Sequence, residues 1–297
     1  MSMRIGLVGN GHWARVTHAA GLSSEPSVEL RGIWGRDNAK TTALAAELGV
    51  SGHAVTGYED VDQMFAEVDA VAFSVPPQVQ AELALRAARA GKHLLLEKPI
   101  AVSVAEADRL AEAVAESGVA SVVFFTSRFD AGQRQWLEQV AQRSDWDGAA
   151  GLWLGSAFAA GSPFDTPWRH DKGGLWDVGP HALAILTGAL GEIVEITARP
   201  GRRDLVHLIT RHESGVSSSY TVSIDTPEAA SEVSLRVWGP AGQSVMPPSS
   251  ADASHALATA ARELAAAAQQ PAPSHPCDVR LGRSVVRLLA EAERQLG

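Results

Sequence analysis

Short apolar runs alternate with longer stretches of helical spacing along the first part of the chain. The runs are predicted as strands and cover residues 4–9, 28–34, 70–75, 93–96 and 121–125. The stretches predicted as helices cover residues 14–20, 39–48, 79–90 and 104–116. The strands show no alternation of apolar and polar residues, which is typical of strands covered by helices on both faces. This order indicates βαβ units, so we predict a doubly wound domain with a parallel sheet over residues 1–124.

The pattern changes after that domain. A helix over residues 131–142 leads to a strand over residues 152–154. Four later strands with turn signals between them cover residues 193–198, 205–211, 216–224 and 233–237, and two helices cover residues 254–268 and 278–295. Short turns favour antiparallel pairing. We therefore predict an α+β domain with a mainly antiparallel sheet over residues 125–297, and the last helix is a candidate to pack back on the first domain.

Composition narrows the function classes. Hydrophobic residues make up 45% of the 297 residues, which is enough for sizeable cores. Lys and Arg total 25 against 34 Asp and Glu, and the formal charge of −9 disfavours binding to nucleic acid or to an anionic membrane. The single cysteine, Cys277, excludes an internal disulfide and a cysteine-rich zinc site, and it fits a cytoplasmic protein.

Neither a membrane span nor a signal peptide is expected. The longest uncharged stretch, residues 148–164, is interrupted by glycines and by Pro163. The apolar run near the N-terminus, residues 5–8, is too short for the core of a signal peptide. Membrane association is therefore not expected.

A glycine-rich turn between the first strand and the first helix matches the dinucleotide-binding fingerprint G-x-G-x-x-A. Its residues are Gly9, Asn10, Gly11, His12, Trp13 and Ala14. In this context Gly9 permits the tight turn, Gly11 lets the backbone approach a pyrophosphate, and Ala14 packs the helix close to the sheet. The helix N-terminus adds free N–H groups for phosphate. The turn predicts a dinucleotide site, and a purely structural turn is the alternative.

The end of the second strand indicates which dinucleotide is bound. An acidic residue about 20 positions past the glycines would hold the ribose 2′-hydroxyl of NAD. Here that place is Gly35-Arg36-Asp37. Gly35 offers no carboxylate, whereas Arg36 can pair with the 2′-phosphate of NADP, so NADP is favoured. In the alternative, Arg36 is an exposed loop residue and Asp37 makes the ribose contact.

A lysine follows the strand predicted over residues 93–96, in the motif Glu97-Lys98-Pro99. Ligands of open α/β sheets bind along the edge formed by the carboxyl ends of the strands. A lysine at that edge could hold positive charge beside a reacting oxygen. A solvated surface lysine is the alternative.

The second dense motif runs from Gly173 to His181 and reads GGLWDVGPH. Asp177 and His181 are four residues apart, so one face of a helix would carry both. Pro180 belongs in the first turn of a helix, so either the helix starts near Gly179 or its first turn is irregular. His181 would then lie near a helix N-terminus, where the dipole favours a neutral imidazole, a competent general base. The alternative is a helix-starting aspartate and a partly buried structural histidine.

Residues just before this motif are candidates for substrate contact. Trp168, Arg169 and His170 place an aromatic ring and two polar donors ahead of a glycine turn, which could line a pocket. His170 could also join Asp177 and His181 as metal ligands, but no spacing motif supports that set, and no metal is expected. Two later histidines, His207 and His212, are interpreted as ordinary surface residues.

Taken together, these motifs resemble the Gfo/Idh/MocA family of oxidoreductases, named for glucose–fructose oxidoreductase and inositol dehydrogenase. The anchors occur in the order of the family: the glycine turn, Val75-Pro76-Pro77, Glu97-Lys98-Pro99, Arg128-Phe129, and residues 173–181. The resemblance implies a Rossmann domain followed by a domain with a large open antiparallel sheet. In the family, that sheet often forms the oligomer interface.

The resemblance also implies roles for individual residues. The family's catalytic lysine falls on Lys98, and its aspartate and histidine fall on Asp177 and His181. Glu97 and Pro99 would shape the turn near the nicotinamide, with a cis bond between Lys98 and Pro99. Further cofactor contacts are expected from Gly35, Arg36, Val75 and Pro76. Substrate contacts are expected from Lys98, Arg128, Trp168, Arg169, His170, Asp177 and His181. Gln80 departs from the pattern, because many members have a histidine there.

The expected function is NAD(P)-dependent hydride transfer, with NADP preferred, between nicotinamide and a C–OH/C=O group. The expected substrate is a sugar, an inositol or a related polyol, and the expected assembly is a homo-oligomer, either dimer or tetramer. Two alternatives stay open, because fold does not fix function. One is a dinucleotide-binding sensor without turnover, and the other is a reductase of an imine or an unsaturated ring.

Overall fold

The computed structural model describes residues 2–49, 54–249 and 252–297. The chain divides into two compact units. The first consists of Met1–Phe129 and Ala251–Arg283, and the second of Asp130–Ser250 and Ser284–Gly297. Each unit is built around its own six-stranded sheet.

The first unit holds the predicted doubly wound sheet, which is confirmed. Its strands are β1 (Met3–Val8), β2 (Val28–Trp34), β3 (Thr56–Tyr58), β4 (Ala70–Phe73), β5 (His93–Leu96) and β6 (Ser121–Val123). They are all parallel and lie in the order β3-β2-β1-β4-β5-β6. The central residues Ile5, Val71 and Leu95 are fully buried, as expected of strands covered on both faces. The strand order reverses between β1 and β4, and open α/β sheets bind their ligands outside the carboxyl ends of the strands at such a point.

The second unit holds a mixed, mostly antiparallel sheet, which confirms the second prediction of fold class. Its strands are β7 (Gly148–Leu154), β8 (Ile193–Pro200), β9 (Val206–His212), β10 (Ser217–Ser223), β11 (Glu232–Gly239) and β12 (Gly242–Val245). Their order is β12-β11-β7-β10-β9-β8. Among the described residues of this sheet, only β7 and β10 pair in parallel, and the other neighbouring strands are antiparallel. The sequence pattern misses the short strands β3 and β12 because neither has an apolar run.

Four of the helices begin at a capping side chain. In chain order the helices are a π-helical segment Ala14–Ala19, α1 (Ala20–Ser24), α2 (Asn38–Gly49), α3 (Val61–Glu67), α4 (Pro77–Arg89), α5 (Val104–Ser117), α6 (Thr126–Phe129), α7 (Ala131–Ala141), α8 (Pro167–Asp177), α9 (Gly179–Leu190), a 3₁₀ segment Glu228–Ala230, α10 (Ala253–Ala267) and α11 (Val279–Arg294). Asp60, Ser103, Asp130 and Asp252 accept backbone N–H bonds at the starts of α3, α5, α7 and α10. No helix in the described ranges is both long and apolar enough to cross a membrane.

The two faces of the second sheet differ. Tyr220, Leu208 and Val237 are buried on one face. On the other face the strand register sets Ile209, Ser219, Ala150, Arg236 and Val245 in one row, because directly paired residues share a face. Ile209 is 57% exposed and Val245 is 60% exposed. This second face therefore carries apolar side chains into solvent.

Two sequence-based expectations are wrong. Asp177 ends α8 and His181 is the third residue of α9, so the two do not share one helical face. The break follows from Pro180, which takes a position in the first turn of α9. His212 is not a surface residue but is fully buried, because β9 turns its alternate side chains toward the core while His207 stays exposed.

Candidate functional site

The glycine turn after β1 has the shape that a bound pyrophosphate needs. Gly9 has a φ of +135°, and a Cβ atom there would lie 2.3 Å from the carbonyl oxygen of Ser74, so only glycine fits. A Cβ atom on Gly11 would meet nothing within 4 Å, so space is open beside this residue. A helix begins at His12, and the buried Ala14 packs it against the sheet. The turn thus fits a dinucleotide.

At the end of β2, Arg36 and Asp37 differ in the hydrogen bonds and ion pairs that they make. Within the described ranges the exposed side chain of Arg36 makes no hydrogen bond or ion pair. Asp37 Oδ1 accepts the backbone N–H of Lys40 at 3.1 Å, and Asp37 Oδ2 lies 3.5 Å from Lys40 Nζ. The hydrogen bond from the Lys40 backbone lowers the pKa of Asp37, which keeps the carboxylate charged at the start of α2. Arg36 is therefore the residue left available to a ligand.

The carboxylate of Glu97 links the turn at residues 97–99 to the helix after the glycine turn. Trp13 Nε1 donates to Glu97 Oε1 at 2.7 Å, and His18 Nε2 lies 2.9 Å from the same oxygen. The backbone N–H of Lys98 donates to the other oxygen at 3.2 Å. The bond between Lys98 and Pro99 is cis, as the resemblance implies. The turn that carries Lys98 is thus tied to the dinucleotide fingerprint.

Gln80 holds the backbone of the same turn. Its Oε1 accepts the Glu97 N–H at 2.8 Å, and its Nε2 donates to the Glu97 carbonyl at 2.8 Å and to the Pro99 carbonyl at 3.2 Å. Gln80 is fully buried in α4, which begins after the exposed Pro76 and the half-buried Val75. The residue that departs from the family pattern therefore serves as a two-sided amide clamp.

Asp177 and Arg169 form a charged pair in the second unit. Arg169 Nε donates to Asp177 Oδ2 at 2.8 Å, and Arg169 Nη2 donates to Oδ1 at 3.3 Å. The guanidinium also donates to the carbonyl of Phe164 at 3.3 Å and lies 5.3 Å from the centre of that ring. Asp177 is buried, and the guanidinium of Arg169 lies beside its carboxylate as a partner of opposite charge.

His181 is oriented by an aromatic ring. The residue is buried near the start of α9, and its imidazole stacks on the indole of Trp153 from β7 with 4.8 Å between the ring centroids. Sequence analysis did not single out Trp153, because one tryptophan in a strand carries no signal of its partner. The ring plane of His181 is therefore set by the sheet beneath it.

The other residues expected at the substrate have separate partners. His170 Nε2 lies 2.6 Å from Asp165 Oδ1, and the ring of His170 stacks on Phe158. Trp168 is half-buried, and its buried Nε1 has no hydrogen-bond partner in the described part of the chain. Arg128 lies half-buried in α6 of the first unit. Among the described residues, no three His, Cys, Asp or Glu side chains are grouped to hold a metal ion.

A known protein family matches most of the first unit in sequence. Residues 3–125 match the model of a family described as an oxidoreductase family with an NAD-binding Rossmann fold. These residues therefore carry the Rossmann domain of the Gfo/Idh/MocA oxidoreductases. The resemblance inferred from the motifs is thereby confirmed.

Two curated relatives align with part of this chain. The 4-carboxy-2-hydroxymuconate-6-semialdehyde dehydrogenase of a Sphingobium species is 35% identical over 130 residues, which are 43% of this chain and 40% of that protein. Inositol 2-dehydrogenase of Rhizobium meliloti is 30% identical over 130 residues, which are 44% of this chain and 38% of that protein. The chain therefore spans well under two thirds of the length of either relative.

A solved structure extends the likeness to the whole fold. The UDP-N-acetylglucosamine 3-dehydrogenase GnnA from Acidithiobacillus ferrooxidans has a TM-score of 0.80 and 21% identity, over 100% of this chain and 98% of that chain. At this level of identity the likeness concerns the fold. Both units thus follow a known architecture.

Asp204 is a further residue that sequence analysis missed, because it lies in a polar loop without a motif. Gly173 interrupts α8 with a φ of +61° and a ψ of −167°. Asp204 Oδ2 accepts the N–H of Gly174 and of Ile224, each at 2.9 Å, and Oδ1 accepts the hydroxyl of Ser223 at 2.5 Å. The carboxylate thus fastens the interrupted helix that ends at Asp177 to the end of β10.

Proposed function

We propose that this protein transfers hydride between a nicotinamide dinucleotide, NADP in preference to NAD, and a C–OH/C=O carbon of a sugar, an inositol or a related polyol. The observation that carries the proposal is the hydrogen bond between Trp13 and Glu97. It joins the turn suited to the dinucleotide phosphates to the turn that bears Lys98. A lysine at the carboxyl edge of a parallel sheet, beside such a fingerprint, is suited to act where the nicotinamide reacts.

The names of the relatives support the substrate class. Two of the three are dehydrogenases of inositol and of UDP-N-acetylglucosamine, and the third is a dehydrogenase of a semialdehyde. When bound, the nicotinamide supplies the hydride donor or acceptor. The chain has to bind and orient the reactants and to handle the proton.

Each site residue has a proposed task. In the oxidation direction His181 takes the proton of the substrate hydroxyl, and Lys98 stabilises the developing alkoxide. Asp177, which is paired with Arg169, orients His181 or binds a neighbouring hydroxyl. Arg128, Trp168 and His170 are proposed to contact the substrate.

Cofactor binding tests the preference for NADP. Titration with the reduced dinucleotides, followed by nicotinamide fluorescence, should show tighter binding of NADPH than of NADH. Arg36→Ala should weaken NADPH binding by about 10- to 150-fold, because a charge-assisted contact contributes about 1.5–3 kcal/mol. Arg31→Ala is the matched control, since Arg31 is an exposed arginine of the same strand that pairs with Glu29. Equal affinities of the wild type for the two cofactors would overturn the preference.

A substrate screen tests the reaction. Sugars, inositols and other polyols are offered with NADP, and the absorbance of the reduced cofactor is followed. His181→Ala should lose about 10²–10⁴-fold in turnover, which is the usual contribution of a general base, and Lys98→Ala should also lose most activity. The matched controls are His207→Ala on β9 and Lys92→Ala before β5, both of which should keep wild-type rates. Full activity in His181→Ala and Lys98→Ala would refute the assigned roles.

A screen in which no sugar or polyol reacts also distinguishes between the alternative functions. If no hydroxyl or carbonyl compound reacts while NADPH still binds tightly, the sensor without turnover becomes the better description. If only imines or unsaturated rings react, the substrate class is wrong and the hydride chemistry stands. The single cysteine supports a cytoplasmic location, and the exposed apolar face of the second sheet supports a homo-oligomer.

A further inference from the structure

The side chain of Asn10 fills the space beside Gly35. A Cβ atom built on Gly35 would lie 2.4 Å from Asn10 Nδ2, 2.5 Å from Asn10 Cγ and 2.9 Å from Asn10 Oδ1, and real Cβ atoms essentially never come closer than 3.0 Å. Gly35 is not among the glycines with positive φ, so its backbone would accept another residue. Space, rather than backbone conformation, requires glycine at this position.

Asn10 is held in that space by hydrogen bonds. Its Nδ2 donates to the carbonyl of Asp37 at 2.9 Å and to Thr41 Oγ1 at 2.9 Å. Thr41 is buried, and its hydroxyl donates in turn to the same carbonyl at 3.0 Å. Moving Asn10 aside would leave these polar groups without partners, which is unfavourable in a half-buried place. A side chain at position 35 therefore cannot simply displace the asparagine.

We infer that Asn10 is a specificity-determining residue for the cofactor. The place it blocks is the one from which an acidic side chain would hold the ribose 2′-hydroxyl of NAD. With that place closed and Asp37 engaged at the start of α2, Arg36 is left to meet the 2′-position. A change of preference toward NAD therefore needs a change at residue 10 as well as at residue 35. This inference rests on the proposed NADP preference.

A double-mutant cycle tests it by binding alone. Dissociation constants for NADH and NADPH are measured by fluorescence for the wild type, Asn10→Ala, Gly35→Asp and the double variant. Gly35→Asp should lose NADPH affinity without gaining NADH. The double variant should bind NADH at least about tenfold more tightly than Gly35→Asp, since the carboxylate then has room. As the control, Asn38→Ala combined with Gly35→Asp should behave like Gly35→Asp, because Asn38 is an exposed residue at the start of α2.

The outcomes separate this inference from the proposed function. Equal wild-type affinities for NADPH and NADH would refute the NADP preference, whereas the role of Asn10 is decided by NADH binding to the two Gly35→Asp proteins. If Gly35→Asp alone gains NADH affinity as much as the double variant does, the inference is overturned.

A ligand-free measurement covers the case in which Gly35→Asp does not fold. Gly35→Ala should lower the melting temperature clearly more in the wild type than in Asn10→Ala, and equal losses would also overturn the inference.

Discussion

The imidazole of His181 and the indole of Trp153 are stacked, with 15° between their ring planes. The strand β7 supplies the indole, and the first turn of α9 supplies the imidazole. A general base works only when its nitrogen can reach the proton that it takes, so the ring plane matters to the proposed chemistry.

Removing this stacked ring should slow turnover without affecting cofactor binding. Trp153→Leu should lower kcat by about 2- to 12-fold, which corresponds to the 0.5–1.5 kcal/mol or so that an aromatic pair contributes beyond burial. Trp153→Phe should recover part of the loss because it keeps a ring face. Trp238→Leu, at a half-exposed tryptophan on β11, is the control and should leave kcat unchanged. Unchanged kcat in Trp153→Leu would show that the stack has no part in orienting His181.

The amide clamp of Gln80 should be needed for the reactivity of Lys98. Gln80→Glu removes the Nε2 donor and turns an oxygen toward the Glu97 and Pro99 carbonyls, which should lower stability by about 1–3 kcal/mol. It should also change the rate at which Lys98 is labelled by an amine-reactive reagent, measured by mass spectrometry. The control is Gln133→Glu, at another buried glutamine whose Nε2 donates to a backbone carbonyl. If both variants leave Lys98 labelling as in the wild type, the clamp does not position Lys98.

The carboxylate of Asp204 should stabilise the second unit. Asp204→Ala leaves the N–H groups of Gly174 and Ile224 and the hydroxyl of Ser223 without their acceptor. We expect a loss of about 2–4 kcal/mol in the free energy of unfolding, measured by urea denaturation. Asp225→Ala is the control, because that side chain is partly exposed and faces Arg203 at 4.0 Å. Similar losses in the two variants would contradict the special role of Asp204.

Stability should decrease toward acid pH partly through His212. Burial lowers the pKa of His212, and the hydrogen bond with the Gly191 carbonyl opposes this shift. The unfolded chain therefore takes up the proton first as the pH falls, so the free energy of unfolding decreases below a pH of about 6.5 and is fully retained above it. His212→Gln should show a smaller decrease between about pH 7.5 and about pH 5.5 in urea denaturation. His207→Gln, at the exposed histidine of the same strand, should keep the wild-type slope.

The exposed row on the second sheet should bring two copies of the chain together. The wild type should scatter light as a dimer or a larger species than the 31.2 kDa chain, because an open sheet otherwise leaves apolar side chains in water. Ile209→Asp should shift it toward the monomer. Val16→Asp is the control, since Val16 is an exposed apolar residue of the first unit. A wild type that is monomeric at micromolar concentration would refute this prediction.

The sequence determined the elements whose signals lie within a few residues of one another. The buried strands of the first sheet and the glycine turn after β1 follow from local apolar runs and local backbone demands. The turn at residues 97–99 was found the same way. These features need no knowledge of distant partners.

Only the tertiary structure decided which distant residues meet. The burial of His212, the bond between Trp13 and Glu97, the stack of Trp153 on His181 and the hydrogen bonds to Asp204 all depend on residues that no local period connects. The physical reason is that side-chain contacts depend on strand order and on register, which are set by the closure of long loops rather than by propensity. Gly35 illustrates both cases. The sequence shows that the residue is a glycine, and only the tertiary structure shows that the side chain of Asn10 requires a glycine there.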